Sequence, residues 1–408
     1  MTTYIDGMRS LEVYGGGNIL AGRRVRDVAE EISLLDANQT ALLTLIRQLR
    51  RKKTNDVKFE WQEDVFPARS ATINEATVSS AETDFTVSDG TLFRAGDLWI
   101  LGNTGELVYV TNVASNVVTV TRRVGGTTGT VVTNGDDIHY VGTGHPTGMT
   151  ARAKLTTQIT QPYNYCQIFK EAFEVDNTLA ATKLYGGTDR SYLRYKHAQI
   201  HNRDIERAFW FGGRDDLTSA DDNYATAWIN TTAFLTKGLV GPDGAHGFIT
   251  TNALGNDSSA YTEDDFDEDL RAIFRYGSGV KFLFGAPIVM SVISSWGRDA
   301  LQTVPRDTTY GINIMRYVSP HGELNLINNK LFYDMADASA GTNNIDFTKL
   351  AVILDLENIW YRYLRDTMLE MGIQENDKDA VEDQYLTECG IMCKQEKTHG
   401  YLTDFDLS

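Results

Sequence analysis

The spacing of apolar residues changes several times along the chain, and each change marks an element. Residues Thr2 to Arg24 show no period and contain Gly15, Gly16 and Gly17 in a row. They read as an extended arm, because no strand–turn–helix frame surrounds the glycines as a phosphate cradle requires. Val28, Ile32 and Leu35 fall at helical spacing, Asp36 to Asn38 breaks the run, and Thr40 stands where an N-cap belongs. Leu42, Leu43, Leu45, Ile46 and Leu49 give the next helix an apolar face. It ends in Arg47, Arg50, Arg51, Lys52 and Lys53, and cations suit a helix C-terminus. Val57 to Phe66 alternates instead. Val57, Phe59, Trp61 and Glu63 point one way, Lys58, Glu60 and Gln62 the other, and Pro67 closes the strand.

From Ala71 to Gly144 the texture becomes Val, Thr, Gly, Asn and Asp. Short strands are expected at Phe85–Val87, Leu98–Leu101, Leu107–Thr111, Val117–Thr121 and Ile138–Val141. Turns are expected at Asp89-Gly90, Asn103 to Gly105, Gly125-Gly126 and Asn134-Gly135. This spacing implies a small antiparallel barrel or sandwich inserted into a longer pattern. Alternation resumes from Thr150 to Val175, with Leu155, Thr157, Ile159, Tyr163, Tyr165, Gln167 and Phe169 in register. That stretch is expected to pair back on Val57–Phe66 as a long two-stranded arm.

Asp189 to Phe211 reads as one long helix. Leu193, Ile200, Ile205, Ala208 and Phe209 are assigned to the core. Arg190, Arg194, Lys196, Arg203, Asp204, Glu206 and Arg207 are assigned to the polar face. Thr262 to Asp265 is a capping signature ahead of Phe266, Leu270, Ile273 and Phe274, with Gly277 and Gly279 ending that helix. Val280–Phe284 is a strand and Pro287–Gln302 a helix. Ile312–Val318 and Glu323–Ile327 form a hairpin. Leu350–Asp355 is nearly all apolar, so it is a strand buried on both faces, and Gln384–Glu396 alternates weakly. The class is α+β.

Composition narrows the function. The 408 residues carry a formal charge of −17 and 42% hydrophobic residues. The charge argues against a protein that grips phosphate backbones, although an acidic wall suits a container in which nucleic acid slides without sticking. No window approaches the ~20 apolar residues of a membrane helix, and the start has no secretory pattern. Three cysteines, few and odd in number for this length, argue against a disulfide framework. Cys389 and Cys393 stand as C-x-x-x-C without a second Cys/His pair nearby, so they read as buried thiols and not a zinc site. His197 and His201 share a helical face at i, i+4, but no third ligand is evident, so they read as packed or interfacial. No P-loop, nucleophile elbow or H-E-x-x-H occurs. The carboxylates at Asp215, Asp216, Glu263, Asp264, Asp265 and Asp267 read as capping and solvation. No catalytic, cofactor-binding or metal residue is assigned, and no cofactor is expected.

Two segments carry a resemblance. Arg26 to Ile46 resembles the arm of tailed-bacteriophage major capsid proteins, and Val57 to Asp64 resembles the strand that follows it. Cys389 to Met392 and Lys397 to Leu402 are similar to that family's last strand, and the order of elements fits over nearly the whole chain. The resemblance implies the Hong-Kong-97-type capsid fold: an N-arm, an extended hairpin loop, a spine helix with a peripheral β-sheet, and an axial α/β domain, plus an all-β insertion. The expected division is an N-terminal arm at 1–56, the extended loop at 57–70 and 150–175, and the insertion at 71–149. The peripheral domain takes 176–240 and 384–408, and the axial domain 241–383. The implied role is self-assembly into pentamers and hexamers that form an icosahedral or prolate head around double-stranded DNA, without sequence-specific binding. Scaffolding, portal and decoration proteins are the implied partners, the virion the location, and the host cytoplasm the place of assembly. The start at Met1 leads us to expect scaffolding on a separate protein. Candidate subunit contacts are Arg47, Arg50, Arg51, Lys52, Trp61, Glu63, Arg194 and Arg203. Two other classes stay open: another virion protein (decoration, head-completion or tail tube), and a β-module-bearing glycosidase or esterase. A long helix and an α/β lobe count against a tail tube, which is mostly β.

Overall fold

The computed structural model describes residues 40–148, 154–183, 188–214, 234–241, 246–254, 261–296, 307–309, 312–335, 346–403 and 405. The arm up to Gln39, its first helix and the part of the Pro287–Gln302 helix beyond Trp296 lie outside them. The chain divides into two units, one holding residues 1–60 and 163–408, the other residues 61–162.

The first unit is built on two sheets. One has four strands in the order β1 (Arg51–Lys53), β19 (Ile359–Met371), β20 (Ala380–Cys393) and β12 (Gln167–Asp176). β1 is parallel to β19, and the other pairs are antiparallel. Helix α3 (Asp189–Phe211) lies against β12 and β20. The second sheet has seven strands. Their order is β13 (Ala253–Leu254), β21 (Gly400–Leu402), β18 (Ala351–Leu354), β14 (Val280–Gly285), β17 (Gly322–Asn328), β16 (Ile312–Ser319) and β15 (Asp307–Thr309). β18 is buried at all four positions, as its unbroken apolar run predicts for a central strand. The hairpin of β16 and β17 forms as expected. Short helix α2 (Asn177–Ala181) follows β12, and α5 (Pro287–Trp296) follows β14.

Helix α4 (Glu263–Ile273) starts with the capping box that its sequence announces: Thr262 Oγ1 accepts from the Asp265 N–H, and Asp265 accepts from the Thr262 N–H. Its end is less conventional. Lys281, in β14, is fully buried and donates from Nζ to the carbonyls of Ile273, Tyr276 and Thr398 at 2.8, 2.8 and 2.6 Å. One cation thus satisfies carbonyls that a helix end leaves open.

Four expectations change. Gln167–Asp176 does not pair with Val57–Phe66. It runs along β20, Gln167 opposite Cys389 and Asp176 opposite Ala380. Pairing with the 57–66 stretch is limited to β2 (Lys58–Glu60) on β11 (Tyr163–Tyr165) and a Glu63–Thr160 bridge. A boundary at 383/384 would cut the β19–β20 hairpin, whose strands share register from Ile359–Cys393 to Met371–Asp383. The last strand, β21, joins the seven-stranded sheet and not the sheet beside α3. Glu206, assigned to the polar face of α3, is fully buried, whereas Leu193 and Ile200 are half-buried.

The second unit is a six-stranded sheet in the order β3 (Ser70–Thr72), β10 (Asp137–Thr143), β6 (Asp97–Leu101), β7 (Leu107–Ala114), β8 (Val117–Thr121) and β5 (Asp84–Thr86). β4 (Thr77–Val78) and β9 (Val132–Thr133) make a separate pair. The two edge strands meet. Ile73 bridges Val87, the Asn74 N–H donates to the Thr86 carbonyl, and the Ser88 N–H donates to the Thr72 carbonyl. The sheet therefore closes into a barrel and leaves no edge for another chain to extend. Alternation fills it: Trp99, Leu101, Val108, Val110, Val118, Val120 and Ile138 face inward.

A buried ion pair anchors the barrel wall. Arg122 donates to Glu106 at 2.6 and 3.0 Å, and Glu106 also accepts the N–H groups of Arg123 and Thr130. Burial raises the Glu106 carboxyl, but Arg122 and those N–H donors outweigh it and hold the group below its usual range. Arg122→Met leaves this carboxylate buried without its cation, and is expected to lower stability by about 3–5 kcal/mol in urea unfolding. Replacing both partners with Met is expected to cost less than the single change.

Candidate functional site

Helix α1 (Ala41–Leu49) brings most of the candidate cations to one place. Leu42, Leu43, Leu45 and Ile46 are buried, which seats the helix, while Leu49 is exposed. Thr40 occupies the N-cap position without a side-chain cap. Glu206 of α3 takes its place: its carboxylate accepts the N–H groups of Leu42 and Leu43 at 3.2 and 3.0 Å and the Trp210 indole N–H at 3.3 Å. Burial pushes this carboxyl up to about 8, against the pull of the three N–H donors and Arg47.

At the other end of α1 the cations turn onto the aromatic residues of β19. The guanidinium of Arg47 lies 5.2 Å from the Tyr361 ring, that of Arg50 lies 5.4 Å from Trp360, and that of Arg51 lies 5.0 Å from Tyr363. Arg47 also donates to Asn202 and Thr367, and Arg51 pairs with Asp366 at 2.7 Å. β1 extends this contact by pairing Arg51, Lys52 and Lys53 with Tyr361, Arg362 and Tyr363. Lys52 and Lys53 are exposed.

The remaining candidates lie elsewhere. Arg194 and Arg190 clasp the buried Asp383 of β20, with N–O distances of 2.8–3.1 Å. They pull its carboxyl down to about 2. Arg203 is half-buried on α3. Trp61 is buried and donates its indole N–H to Glu63 at 2.7 Å within the second unit. Of the eight candidates, the structure gathers Arg47, Arg50, Arg51 and Lys52 along β1 and β19, and joins Trp61 to Glu63 within the second unit. His201 is buried against Thr387 at 2.7 Å, and His197 contacts Glu171 at 2.7 Å and stacks on Phe173.

Sequence reading missed three exposed apolar residues of the second unit. Phe66 is 96% exposed, with Val65 and Ile159 each more than half exposed in the same unit. A large apolar side chain held almost wholly in water, as Phe66 is, is what a contact surface covers. The signal was present in Val65-Phe66-Pro67, where the strand runs into a proline, but alternation there assigns only sides and not exposure.

The contact of α3 with β20 predicts acid sensitivity. Burial pushes His201 down to about 4, so the unfolded chain takes up a proton first as pH falls. Stability is expected to drop from about pH 6.5 to 4 through this residue, and His201→Gln to flatten that part of a urea-midpoint curve. Asp383 acts lower: its stabilisation is present above about pH 4 and lost toward pH 2. Asp383→Asn is expected to cost about 2 kcal/mol at pH 7.

Among the described residues, no helix is long and apolar enough to cross a membrane. The family model of the SU10 major capsid protein matches residues 9–406. No curated protein sequence matches. Among solved structures, the cyanophage A-1(L) capsid asymmetric unit aligns with a TM-score of 0.52 at 9% identity, covering 94% of this chain and 98% of that one. Microbacterium phage Oxtober96 aligns with a TM-score of 0.45 at 11% identity over 94% and 96% of the two chains. The capsid of the native GTA particle gives 0.45 at 9% identity over the same shares. The cyanophage likeness shows the fold, an α+β arrangement of the Hong-Kong-97 type. The family match over nearly the whole length carries identity: this chain belongs to the SU10 major capsid protein family and is a capsid-forming structural protein of the virion.

Proposed function

We propose that copies of this chain close into pentamers and hexamers, and these into an icosahedral or prolate head around double-stranded DNA. The family match over residues 9–406 carries this reading. The formal charge of −17 supports a container over a DNA-gripping role. The chain acts by assembly and not by catalysis. Assembly takes place in the host cytoplasm, with scaffolding, portal and decoration proteins as its partners.

In this reading residues 1–56 are the N-arm, and the stretches 57–70 and 150–175 lead into and out of the inserted barrel. The sheet of β1, β19, β20 and β12 with α3 is the peripheral domain, and the seven-stranded sheet is the axial one. The eight candidate contacts then divide by job. Arg47, Arg50, Arg51 and Arg194 shape the surface through their own-chain partners. Lys52 presents its charge to a neighbour. Trp61 and Glu63 brace the chain that holds Phe66, and Arg203 lies on the spine helix. Each contact is modest, and many around one subunit add by avidity.

Negative-stain electron microscopy of the concentrated full chain at moderate salt tests the reading. Closed shells, hexamers or tubes are expected. A monomer or dimer that never assembles, even with lysate from infected host cells, would sink it. Phe66→Asp is expected to leave the melting temperature unchanged and abolish assembly. Lys52→Glu is expected to raise the concentration needed for assembly most strongly at low salt, since Coulombic contacts are screened by ions. Equal loss at low and high salt would remove the Coulombic role of Lys52.

A further inference from the structure

The four-stranded sheet ends on one side in β1, three residues long, and on the other in β12, ten residues long. β12 keeps one unbroken register on β20 from Gln167 to Asp176, without a bulge and without a proline. Alternate residues of such a strand aim their N–H and C=O groups away from the sheet. Among the described residues, no other backbone pairs with residues 168–175 on that outer side. Phe173 stacks on His197 of α3, so the odd-numbered side chains of β12 face the helix. Ile168, Lys170, Ala172 and Glu174 point the other way and are exposed. Proteins shorten, bulge or cover an edge that is meant to stay single. β1 is short and the barrel has no edge, whereas β12 is long and regular.

We propose that β12 pairs with β12 of a second copy, antiparallel about a two-fold axis at Ala172, and so joins one ring of subunits to the next. The role in joining rings rests on the shell reading above. In this register Lys170 of each copy stands opposite Glu174 of the other, on the exposed face, so the contact holds two reciprocal ion pairs. Lys170 has no ion-pair partner among the described residues. Glu174 meets Lys378 at 2.7 Å through one oxygen, and its second oxygen can accept from a lysine across the axis. Charges on an edge often serve to repel another strand. Here they are complementary in one register, whereas centring the axis on Glu171 would set two like carboxylates against each other. Ala172 keeps the axis itself clear of bulk. A closed shell built of five- and six-membered rings has two-fold axes between rings, and a two-fold axis requires a patch that pairs with itself. Backbone hydrogen bonds along the edge then make the two sheets continuous.

A cysteine on the axis tests the contact. Residues directly opposite in an antiparallel pair have Cα atoms about 4.5–5.5 Å apart, within disulfide reach, and the three native thiols are buried. The full Ala172→Cys chain is concentrated at moderate salt, particles are separated from unassembled chain, and both fractions are oxidised with diamide and run on a non-reducing gel. A disulfide dimer is expected from Ala172→Cys and none from Ile168→Cys, whose register partner is Asp176. Adding Lys170→Glu is expected to lower the dimer yield by about threefold or more at an unchanged melting temperature, and adding Glu174→Lys to that chain to restore it. No disulfide dimer in either fraction would overturn the pairing, and where shells still form it would leave the shell reading in place. A chain that dimerises through Ala172→Cys but never builds particles would keep the pairing and remove the shell reading. Ile168→Cys crosslinking as well as Ala172→Cys, or Lys170→Glu without effect on the yield, would also overturn the pairing.

Discussion

Strand β20 is the constraint on which the larger unit depends. Over residues 383–389 it is paired on both sides, by β19 and by β12, so it cannot shift register without breaking two ladders at once. Side chains then fix what lies above it. Asp383 receives two arginines of α3, Thr387 meets His201 of the same helix, and the Ile391 carbonyl accepts from the buried Asn164 of β11. The helix and the incoming chain are thus indexed to one strand. Because the polar groups are buried, each bond left unmade costs more than each bond made returns, and the arrangement is specified as well as held.

From that indexed helix the arm is placed by a single carboxylate. Glu206 accepts two N–H groups at the start of α1, and the far end of the same helix meets the aromatic residues of β19. The arm helix is therefore gripped at both termini by two different elements of one body. A nine-residue helix is too short to hold itself together in water, so its form follows from this docking.

Much of this was legible in the residues where the signal is local. Helix α3 runs from Asp189 to Phe211 as its spacing predicts, the α4 capping box is written in Thr262 and Asp265, and the barrel strands follow period-two runs between glycine turns. What was not legible is set by partners far away in sequence. β19, with Trp360, Tyr361 and Tyr363 crowded together, lacks clean alternation because both of its faces are used. Glu206 looks like any helix-surface acid until α1 arrives. The pairing of Ile73 with Val87 that closes the barrel has no local signature. For the candidate contacts, the cluster of cations was plain, but composition alone does not tell a charge spent on the chain's own aromatic rings from one presented to a neighbour.

The barrel's entrance and exit strands are hydrogen-bonded to each other: the Trp61 N–H donates to the Pro162 carbonyl at 3.1 Å, and next to it β2 pairs with β11. A module whose two ends leave side by side adds little loop-closure entropy to its host, however long the excursion between them. The rest of the chain is therefore nearly indifferent to what is spliced in at this neck. Lineages sharing this body are free to gain, lose or exchange such a module, and an engineer is free to graft foreign cargo at the same point.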